Sequence, residues 1–314
     1  MKRVISVSLG SSKRDHTITV ELLGELFEMS RVGTDGDMQR AMEKLRQLDG
    51  NVDAIGLGGI DIYLYAGKKR YPIKDGLRLK QVVSKTPVVD GSGVKNTLER
   101  ETVSYLLAKG LIGSGSKVLM VSAVDRFGMA EAFNEAQCDI TFGDLMFAVG
   151  IPCPLYSIEK LETIARRLLP IFTKVPFKML YPTGNKQDKN DIAKATKYAK
   201  YYHRAEIIAG DYHLIRKYLP EKLNGQMIIT NTTTAADVDM LAQRGAGTLV
   251  TTTPEFNGRS FGTNVIEAVL VAMLEKSWED TTPEEYSQLL RRLNFKPRIV
   301  QLNPVKSNEE TIRK

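Results

Sequence analysis

The sequence predicts a two-domain α/β protein, with a C-terminal Rossmann-like doubly wound parallel sheet and a smaller N-terminal α/β domain. Its 314 residues fit two domains of ordinary size. From residue 117 onward, short apolar segments alternate with amphipathic ones, the pattern of successive βα units. Earlier segments alternate apolar and polar residues with the period of a strand. We therefore predict a substrate domain over 1–112, a nucleotide-binding domain over 113–280, and a C-terminal helix and tail over 281–314.

The N-terminal domain is predicted from strand-like and helical patterns that follow one another closely. Residues 3–9 alternate apolar and polar side chains, and a helical pattern places Met38, Ala41 and Leu45 on one face. A hairpin is expected around the Ala-Gly pair at 66–67. The predicted strands are 3–9, 17–20, 25–29, 53–57, 62–65 and 70–73, and the predicted helices are 37–48 and 98–107.

The second domain is predicted from short apolar strands separated by helical segments. Continuous apolar strands are typical of a parallel sheet whose two faces are both covered. The predicted strands are 118–121, 139–142, 177–180, 206–209, 227–230 and 248–251. The predicted helices are 129–136, 157–169, 191–202, 212–218, 235–243 and 264–275.

Composition narrows the class of partner. The chain has 44 Lys and Arg against 37 Asp and Glu, a mild net charge of +7, and its basic residues are interspersed with acidic ones. Two cysteines outside any CxxC pair and three histidines without paired spacing argue against a metal site. No segment has the length of a signal peptide core or a membrane span. We predict a cytoplasmic protein that binds a small-molecule substrate or nucleotide, with no nucleic-acid or membrane partner; a homodimer stays open.

Polar residues follow the predicted strands of the second sheet, and ligands bind at the carboxyl ends of strands in such sheets. The first turn occupies the place of a pyrophosphate loop, although it keeps only one glycine. The acidic residue that ends the second strand would bind ribose hydroxyls and repel the 2′-phosphate of NADP. Helix capping is the alternative role of these side chains. We predict NAD or NADP, with NAD favoured, bound by Ser122, Asp125, Arg126, Gly128, Asp144, Gly210, Thr251 and Thr252.

A second polar cluster follows the first strand of the chain. Ser8, Ser11 and Ser12 stand beside Lys13 and Arg14, and hydroxyls next to cations suit a carboxylate or phosphate. A polar hairpin loop is the alternative. We predict that these three serines bind the substrate together with Asn231, which follows a strand of the second sheet.

Three segments carry a family resemblance. Residues 90–93 (Asp-Gly-Ser-Gly) precede a helix and a Gly-Ser linker, residues 72–74 are Pro-Ile-Lys, and residues 250–254 are Val-Thr-Thr-Thr-Pro. These segments resemble motifs of the shikimate and quinate dehydrogenases, whose Asn-Thr-Asp-Gly-x-Gly element is represented here with Val88 and Val89 in place of Asn-Thr. The resemblance implies a substrate domain followed by a nucleotide domain, and a catalytic pair formed by Lys74 and Asp90.

A Lys–Asp pair suits the oxidation of a secondary alcohol, because the amine can take the hydroxyl proton while the carboxylate orients both groups. The resulting hypothesis is an NAD(P)-dependent oxidoreductase that acts on a small polyhydroxy carboxylate, quinate- or shikimate-like, in the interdomain cleft. The degraded glycine loop and the substituted serine-rich element favour an alternative. In that alternative, the chain is a non-dehydrogenase that binds a nucleotide or an anionic metabolite in the same cleft, as a sensor or regulatory protein.

Overall fold

The computed structural model describes residues 1–66, 69–175, 192–256, 259–275 and 278–304. The strands of the N-terminal half are β1 (Lys2–Ser8), β2 (His16–Leu22), β3 (Glu25–Gly33), β4 (Ala54–Gly58), β5 (Tyr63–Ala66), β6 (Lys69–Pro72) and β7 (Val88–Val89). Those of the C-terminal half are β8 (Lys117–Met120), β9 (Asp139–Phe142), β10 (Ile207–Ala209), β11 (Met227–Thr230), β12 (Thr248–Thr251), β13 (Glu255–Phe256), β14 (Arg259–Ser260) and β15 (Arg298–Gln301).

The α-helices of the described residues alternate with these strands. They are α1 (Met38–Leu48), α2 (Lys74–Lys80), α3 (Ser92–Ala108), α4 (Phe127–Glu135), α5 (Ile158–Phe172), α6 (Ile192–Arg204), α7 (Tyr212–Tyr218), α8 (Ala235–Gln243), α9 (Thr263–Leu274) and α10 (Pro283–Arg292). Short 3₁₀ helices lie at Ser12–Arg14, Val124–Arg126 and Trp278–Asp280, and a π-helical turn lies at Leu145–Val149. No helix within the described ranges combines the length and the apolar character that a membrane crossing requires.

Two sheets define two lobes. The N-terminal sheet has the order β2-β3-β1-β4-β7, in which β2 is antiparallel to β3 and the other neighbours are parallel. The C-terminal sheet has the order β15-β12-β11-β10-β8-β9, in which only the edge strand β15 is antiparallel to its neighbour. These sheets confirm the predicted two-domain α/β fold. The strand predicted at 177–180 lies outside the described residues.

Alternating side chains on β1 explain why its sheet is covered on both faces. Val4 packs into a core formed with α9 and α3, whereas Val7 packs into a second core formed with α1 and α2. Successive side chains of a strand point to opposite faces, so a strand buried on both faces needs apolar residues at both parities. The N-terminal lobe is therefore a sheet with helices on both faces.

Helix α3 begins six residues before its predicted start at residue 98. Gly91 lies in the left-handed region, with φ of 92°, and a Cβ at this position would come within 2.6 Å of the backbone nitrogen of Asn264. Of the Gly-Ser-Gly run at 91–93, only Gly91 turns, and the helix begins at Ser92. Helix α2 was not predicted from the sequence.

The chain returns to its first lobe near its end. Helix α9 packs against β1, β4 and α3, and β15 then joins the C-terminal sheet beside β12. The chain therefore passes between the lobes through α3, before α9 and after α10. The predicted division at residues 112 and 280 stays a prediction. It assigns α9 to the second domain, whereas α9 packs on the N-terminal sheet.

Candidate functional site

One cleft of about 600 Å³ lies where the carboxyl ends of both sheets face each other. Parallel strands end on the same edge of a sheet, so the turns that follow them gather on this cleft. The N-terminal lobe contributes residues at the ends of β1, β4 and β7, and the C-terminal lobe contributes residues after β8, β10 and β11. These residues include Ser8, Gly58, Asp90, Asp125, Asp211 and Asn231.

The loop after β1 is held by two carboxylates. Asp35 accepts hydrogen bonds from the backbone N–H and the hydroxyl of Ser12, both at 2.8 Å, and these bonds hold the pKa of Asp35 below its ordinary value. Asp15 accepts from the backbone of Gly33 at 2.6 Å and from the guanidinium of Arg31 at 2.8 Å. The loop is thereby fixed in a 3₁₀ turn on the rim of the cleft.

This turn presents cations to the cleft. Lys13 is exposed and Arg14 is half-buried, and both line the cleft without an ion pair in the described part of the chain. The ring of His16 stacks on Phe261 with centroids 4.3 Å apart, and its Nδ1 donates to the carbonyl of Arg14 at 2.9 Å. From the opposite lobe, Lys217 of α7 also lines the cleft. We call Lys13, Arg14 and Lys217 the outer cations.

A group of charged residues lies deeper and joins the lobes. The ammonium of Lys95, on α3, is 2.9 Å from a carboxylate oxygen of Asp125 in the C-terminal lobe and 3.8 Å from one of Asp61 in the N-terminal lobe. Burial acts to lower the pKa of Lys95, but the two carboxylates raise it overall. The inner cluster is our name for this group of charged residues: Asp61, Asp90, Lys95, Glu99, Asp125, Arg126 and Asp211.

Arg126 is the most deeply buried cation of the inner cluster. Its side chain is 1% exposed and contacts Glu99, 0% exposed, at 2.5 Å, and Asp211 at 3.4 Å. Burial raises the pKa of Glu99 to about 7, and the Arg126 guanidinium opposes that shift. Asp211 also accepts from the backbone of His213 and so caps α7. The inner cluster is therefore tied both to the helices and across the lobes.

The structure does not bring the predicted catalytic pair together. Lys74 is exposed at the start of α2, outside the cleft lining, and its backbone N–H donates to Thr173. Asp90 does line the cleft, but its oxygens accept from the backbone of Ile62 and Tyr63 and from the backbone and hydroxyl of Ser92. Asp90 thus orders the turn between β7 and α3. The hypothesis of an acid–base pair formed by these residues has no geometric basis.

The predicted cofactor residues form internal contacts instead of an open loop. The N–H of Gly128 donates to Asn96, and a Cβ on this glycine would come within 2.9 Å of the Asn96 backbone, so Gly128 allows α3 and α4 to touch. Asp144 is half-buried, accepts from the backbone of Val124 at 2.9 Å, and has its pKa raised by desolvation to about 6. Ser122 accepts from the backbone of Asp211 at 2.9 Å.

The predicted site residues divide into two sets by position. Those in the cleft lining are Ser8, Ser11, Asp90, Asp125, Arg126 and Asn231. Those outside it are Ser12, Lys74, Ser122, Gly128, Asp144, Gly210, Thr251 and Thr252. Gly210 has a φ of 140° at the turn after β10, and the Thr251 hydroxyl donates to the carbonyl of Thr253. Fewer strand-end residues therefore face the cleft than the sequence predicted.

The sequence reasoning missed Asp61, Lys95 and Lys217. One signal could have found Lys95: it stands one helical turn before Glu99 in a helix whose buried positions are otherwise apolar or hydroxylated. Two buried charges at this spacing require partners from elsewhere in the fold. Within the described residues, no group of three or more His, Cys, Asp or Glu side chains is placed to hold a metal ion.

Comparison with solved structures gives several weak likenesses. A substrate-binding protein of a sugar ABC transport system from Bordetella parapertussis is 12% identical, with 99% of this chain and 91% of that chain covered and a TM-score of 0.39. A glucose-galactose binding protein from Geobacillus stearothermophilus is 8% identical, with coverages of 98% and 99% and a TM-score of 0.38. A periplasmic ribose ABC transporter structure from Conexibacter woesei is 11% identical, with coverages of 92% and 94% and a TM-score of 0.37. No curated protein sequence matches the chain.

The geometry of the site corrects the main functional hypothesis. The prediction of an NAD(P)-dependent oxidoreductase is wrong, as is the predicted NAD or NADP cofactor: Lys74 lies outside the cleft lining, and Asp90 is bonded to its own turn. Within the chain, the predicted dinucleotide turn is occupied by the Arg126 ion pairs and the contact between Gly128 and α3. The predicted cytoplasmic location is also withdrawn, because no observation on the described residues supports it.

Two family models match the sequence. One, described as Domain of unknown function (DUF8753), covers residues 3–90. The other, described as Domain of unknown function (DUF8754), covers residues 93–302. The resemblance to shikimate and quinate dehydrogenases is therefore wrong as a family assignment. Because the second match spans well over half of the sequence, the chain belongs to the family described as Domain of unknown function (DUF8754).

Proposed function

We propose that this chain is a ligand-binding protein whose interdomain cleft takes a small molecule with an anionic group. The outer cations carry the proposal. They come from both lobes, they line the cleft, and no ion pair in the described part of the chain engages them. A cleft of about 600 Å³ is of the size that holds a metabolite.

The carboxylates of the lining are mostly committed to the protein itself. Asp90 accepts backbone hydrogen bonds at the start of α3, Asp125 pairs with Lys95, and Asp211 pairs with Arg126. Asp237 completes a capping box with Thr234 and pairs with Arg216 at 3.2 Å. These acidic groups therefore do not neutralise the outer cations, which supports an anionic group of the ligand as their partner.

The arrangement of the lobes supports binding between them. The chain passes between the lobes at a few segments, and the contacts between the lobes include the Lys95 ion pairs and the packing of the β5–β6 hairpin against α5. A ligand held by Arg14 from one lobe and Lys217 from the other would add a further link. We also propose that the C-terminal sheet is doubly wound and Rossmann-like, because helices flank its parallel strands. A homodimer stays a prediction.

Calorimetric titration and thermal-shift measurements test the proposal with three groups of ligands: phosphorylated metabolites, carboxylates and neutral sugars. We expect anions to bind and to bind more weakly as the salt concentration rises, because exposed charges are screened. The double variant Lys13→Ala/Arg14→Ala should weaken anion binding by about 10- to 100-fold, the range for losing charged hydrogen bonds. The matched control Arg46→Ala/Lys160→Ala removes two exposed cations that are not part of the lining and should bind normally.

Two outcomes would overturn the proposal. One is binding of neutral sugars alone, with affinities that salt leaves unchanged. The other is anion binding that the Lys13→Ala/Arg14→Ala variant and its control retain equally, which would place the anion away from the outer cations.

A further inference from the structure

The inner cluster contains more acid than base. Its five carboxyl groups, on Asp61, Asp90, Glu99, Asp125 and Asp211, surround two cations, Lys95 and Arg126. The outer cations are opposite in sign; Lys13 is exposed, and Arg14 and Lys217 are half-buried. The cleft is therefore acidic at its inner end and basic at its outer end.

Asp61 differs from the other carboxyl groups of the cleft. Its side chain is 27% exposed, against 10% for that of Lys95. The Lys95 ammonium lies 3.8 Å from the Asp61 carboxylate, beyond hydrogen-bond distance. Asp90, Asp125 and Asp211 each have a partner at 2.9 Å or less. Asp61 thus lines the cleft with a side-chain hydrogen bond to Asp125 and a long contact to Lys95, and no cation of the described residues lies within hydrogen-bond distance of it.

The surroundings of Asp61 favour an additional positive charge. Burial raises the pKa of Asp61 well above its ordinary value; Lys95 opposes that shift, and the nearby carboxylates of Asp125 and Asp90 add to it. A ligand hydroxyl would leave the excess of negative charge as it is. An ammonium group would compensate it and would meet a carboxylate at close range.

We propose that Asp61 binds an ammonium group of the ligand, so that the cleft takes a zwitterion whose anionic group contacts the outer cations. This inference rests on the proposed function, because it uses the same cleft and the same anionic contact. It adds the second charge of the ligand and assigns the residue that selects it. Amino acids and phosphorylated amines have this chemistry.

The test uses two ligand series that differ in one group. Aspartate, malate and succinate carry an ammonium, a hydroxyl or a hydrogen at the same carbon. Phosphoethanolamine, 2-hydroxyethyl phosphate and ethyl phosphate form the matching phosphate series. We expect the ammonium member of at least one series to bind about ten-fold or more tightly than its hydroxyl and parent members, as a charged hydrogen bond allows.

Variants then locate the preference. Asp61→Asn keeps the size and a hydrogen-bonding oxygen but removes the charge, so it should erase the ammonium preference and leave the affinity for the parent anion nearly unchanged. Asp239→Asn, an exposed aspartate of α8 outside the cleft lining, should keep the preference. Thermal unfolding of both variants checks that they fold.

The outcomes separate this inference from the proposed function. Equal binding of all members of a series, or a preference that Asp61→Asn retains, overturns the role of Asp61 while anion binding stands. If none of the six anions binds and neutral sugars do, the proposed function fails and this inference fails with it.

Discussion

Cations in the two parts of the cleft differ in what they contact. Arg126 is enclosed by Glu99 and Asp211, and Lys95 by Asp125 and Asp61, whereas the outer cations have no ion pair in the described residues. A buried charge must be paired, because its desolvation costs several kcal/mol. An exposed charge needs no partner and stays open to a ligand. The same residue types therefore support the fold at the inner end, and at the outer end they are the groups we propose for recognition.

The largest effect is expected at the most buried pair. Arg126→Met should lower the free energy of unfolding by about 3–5 kcal/mol, because Glu99 would be left buried without its cation. Urea denaturation monitored by circular dichroism measures this change. Arg100→Ala is the control: its partners Glu131 and Glu135 are partly exposed, so it should cost less than about 1 kcal/mol. Similar losses for both variants would remove the contrast between the two regions.

Removing both partners of the buried pair should recover part of this loss. Glu99→Gln/Arg126→Met leaves no buried carboxylate without a cation, so we expect it to be more stable than Arg126→Met alone. A double-mutant cycle should give a coupling free energy of about 1–3 kcal/mol. Additive losses would mean that Arg126 acts mainly through packing or through Asp211.

Glu267 is a buried carboxyl that differs from Glu99 in its partners. Hydrogen bonds engage Glu267, and it has no ion pair in the described residues. Glu267 accepts from the backbone of Gly91 at 2.7 Å and from the Tyr286 hydroxyl at 3.0 Å, and burial raises its pKa to about 8 from 4.5. The folded state then holds the proton more tightly than the unfolded chain. Its contribution to stability is complete below about pH 4.5 and is lost as the pH rises through about 8.

Stability measured between pH 7 and 8 tests this expectation. One such group changes the free energy of unfolding by at most about 1.4 kcal/mol per pH unit. Glu267→Gln should flatten the decline in this interval, and the exposed control Glu43→Gln should leave it unchanged. A decline of the same slope in Glu267→Gln would assign it to other groups.

The smallest effect on stability is expected at the outer cations. Lys13→Ala/Arg14→Ala should change the free energy of unfolding without ligand by no more than about 0.5 kcal/mol, the usual range for surface substitutions. The same urea assay used for Arg126→Met measures it. A loss above about 1 kcal/mol would show that these side chains hold the loop after β1, and would weaken their assignment to a ligand.

Local patterns in the sequence predicted much of the fold. The strand predicted at 139–142 and the helices predicted at 212–218 and 235–243 have the bounds found in the structure. Their periodicity and their capping residues, Asp211 and Thr234, lie within a few positions of each element. The gathering of strand ends on a cleft followed from the parallel order alone.

Motif transfer did less well. The predicted pair of Lys74 and Asp90 came from two separate short segments. In the structure, Lys74 is exposed at the start of α2, and Asp90 orders a turn. Short segments of this kind specify turns and helix starts in many folds. They do not specify which side chains meet across a cleft.

The sequence by itself determined the α/β class, the succession of most strands and helices, and the presence of polar strand ends, because each depends on residues that are neighbours along the chain. Only the tertiary structure decided that α9 returns to the first lobe and that Asp61, Lys95 and Asp125 meet between the lobes. It also decided that Arg126 is buried against Glu99 while Lys13 and Arg14 line the cleft. The physical reason is that burial and pairing of a charge depend on segments distant in sequence, and no local periodicity encodes them.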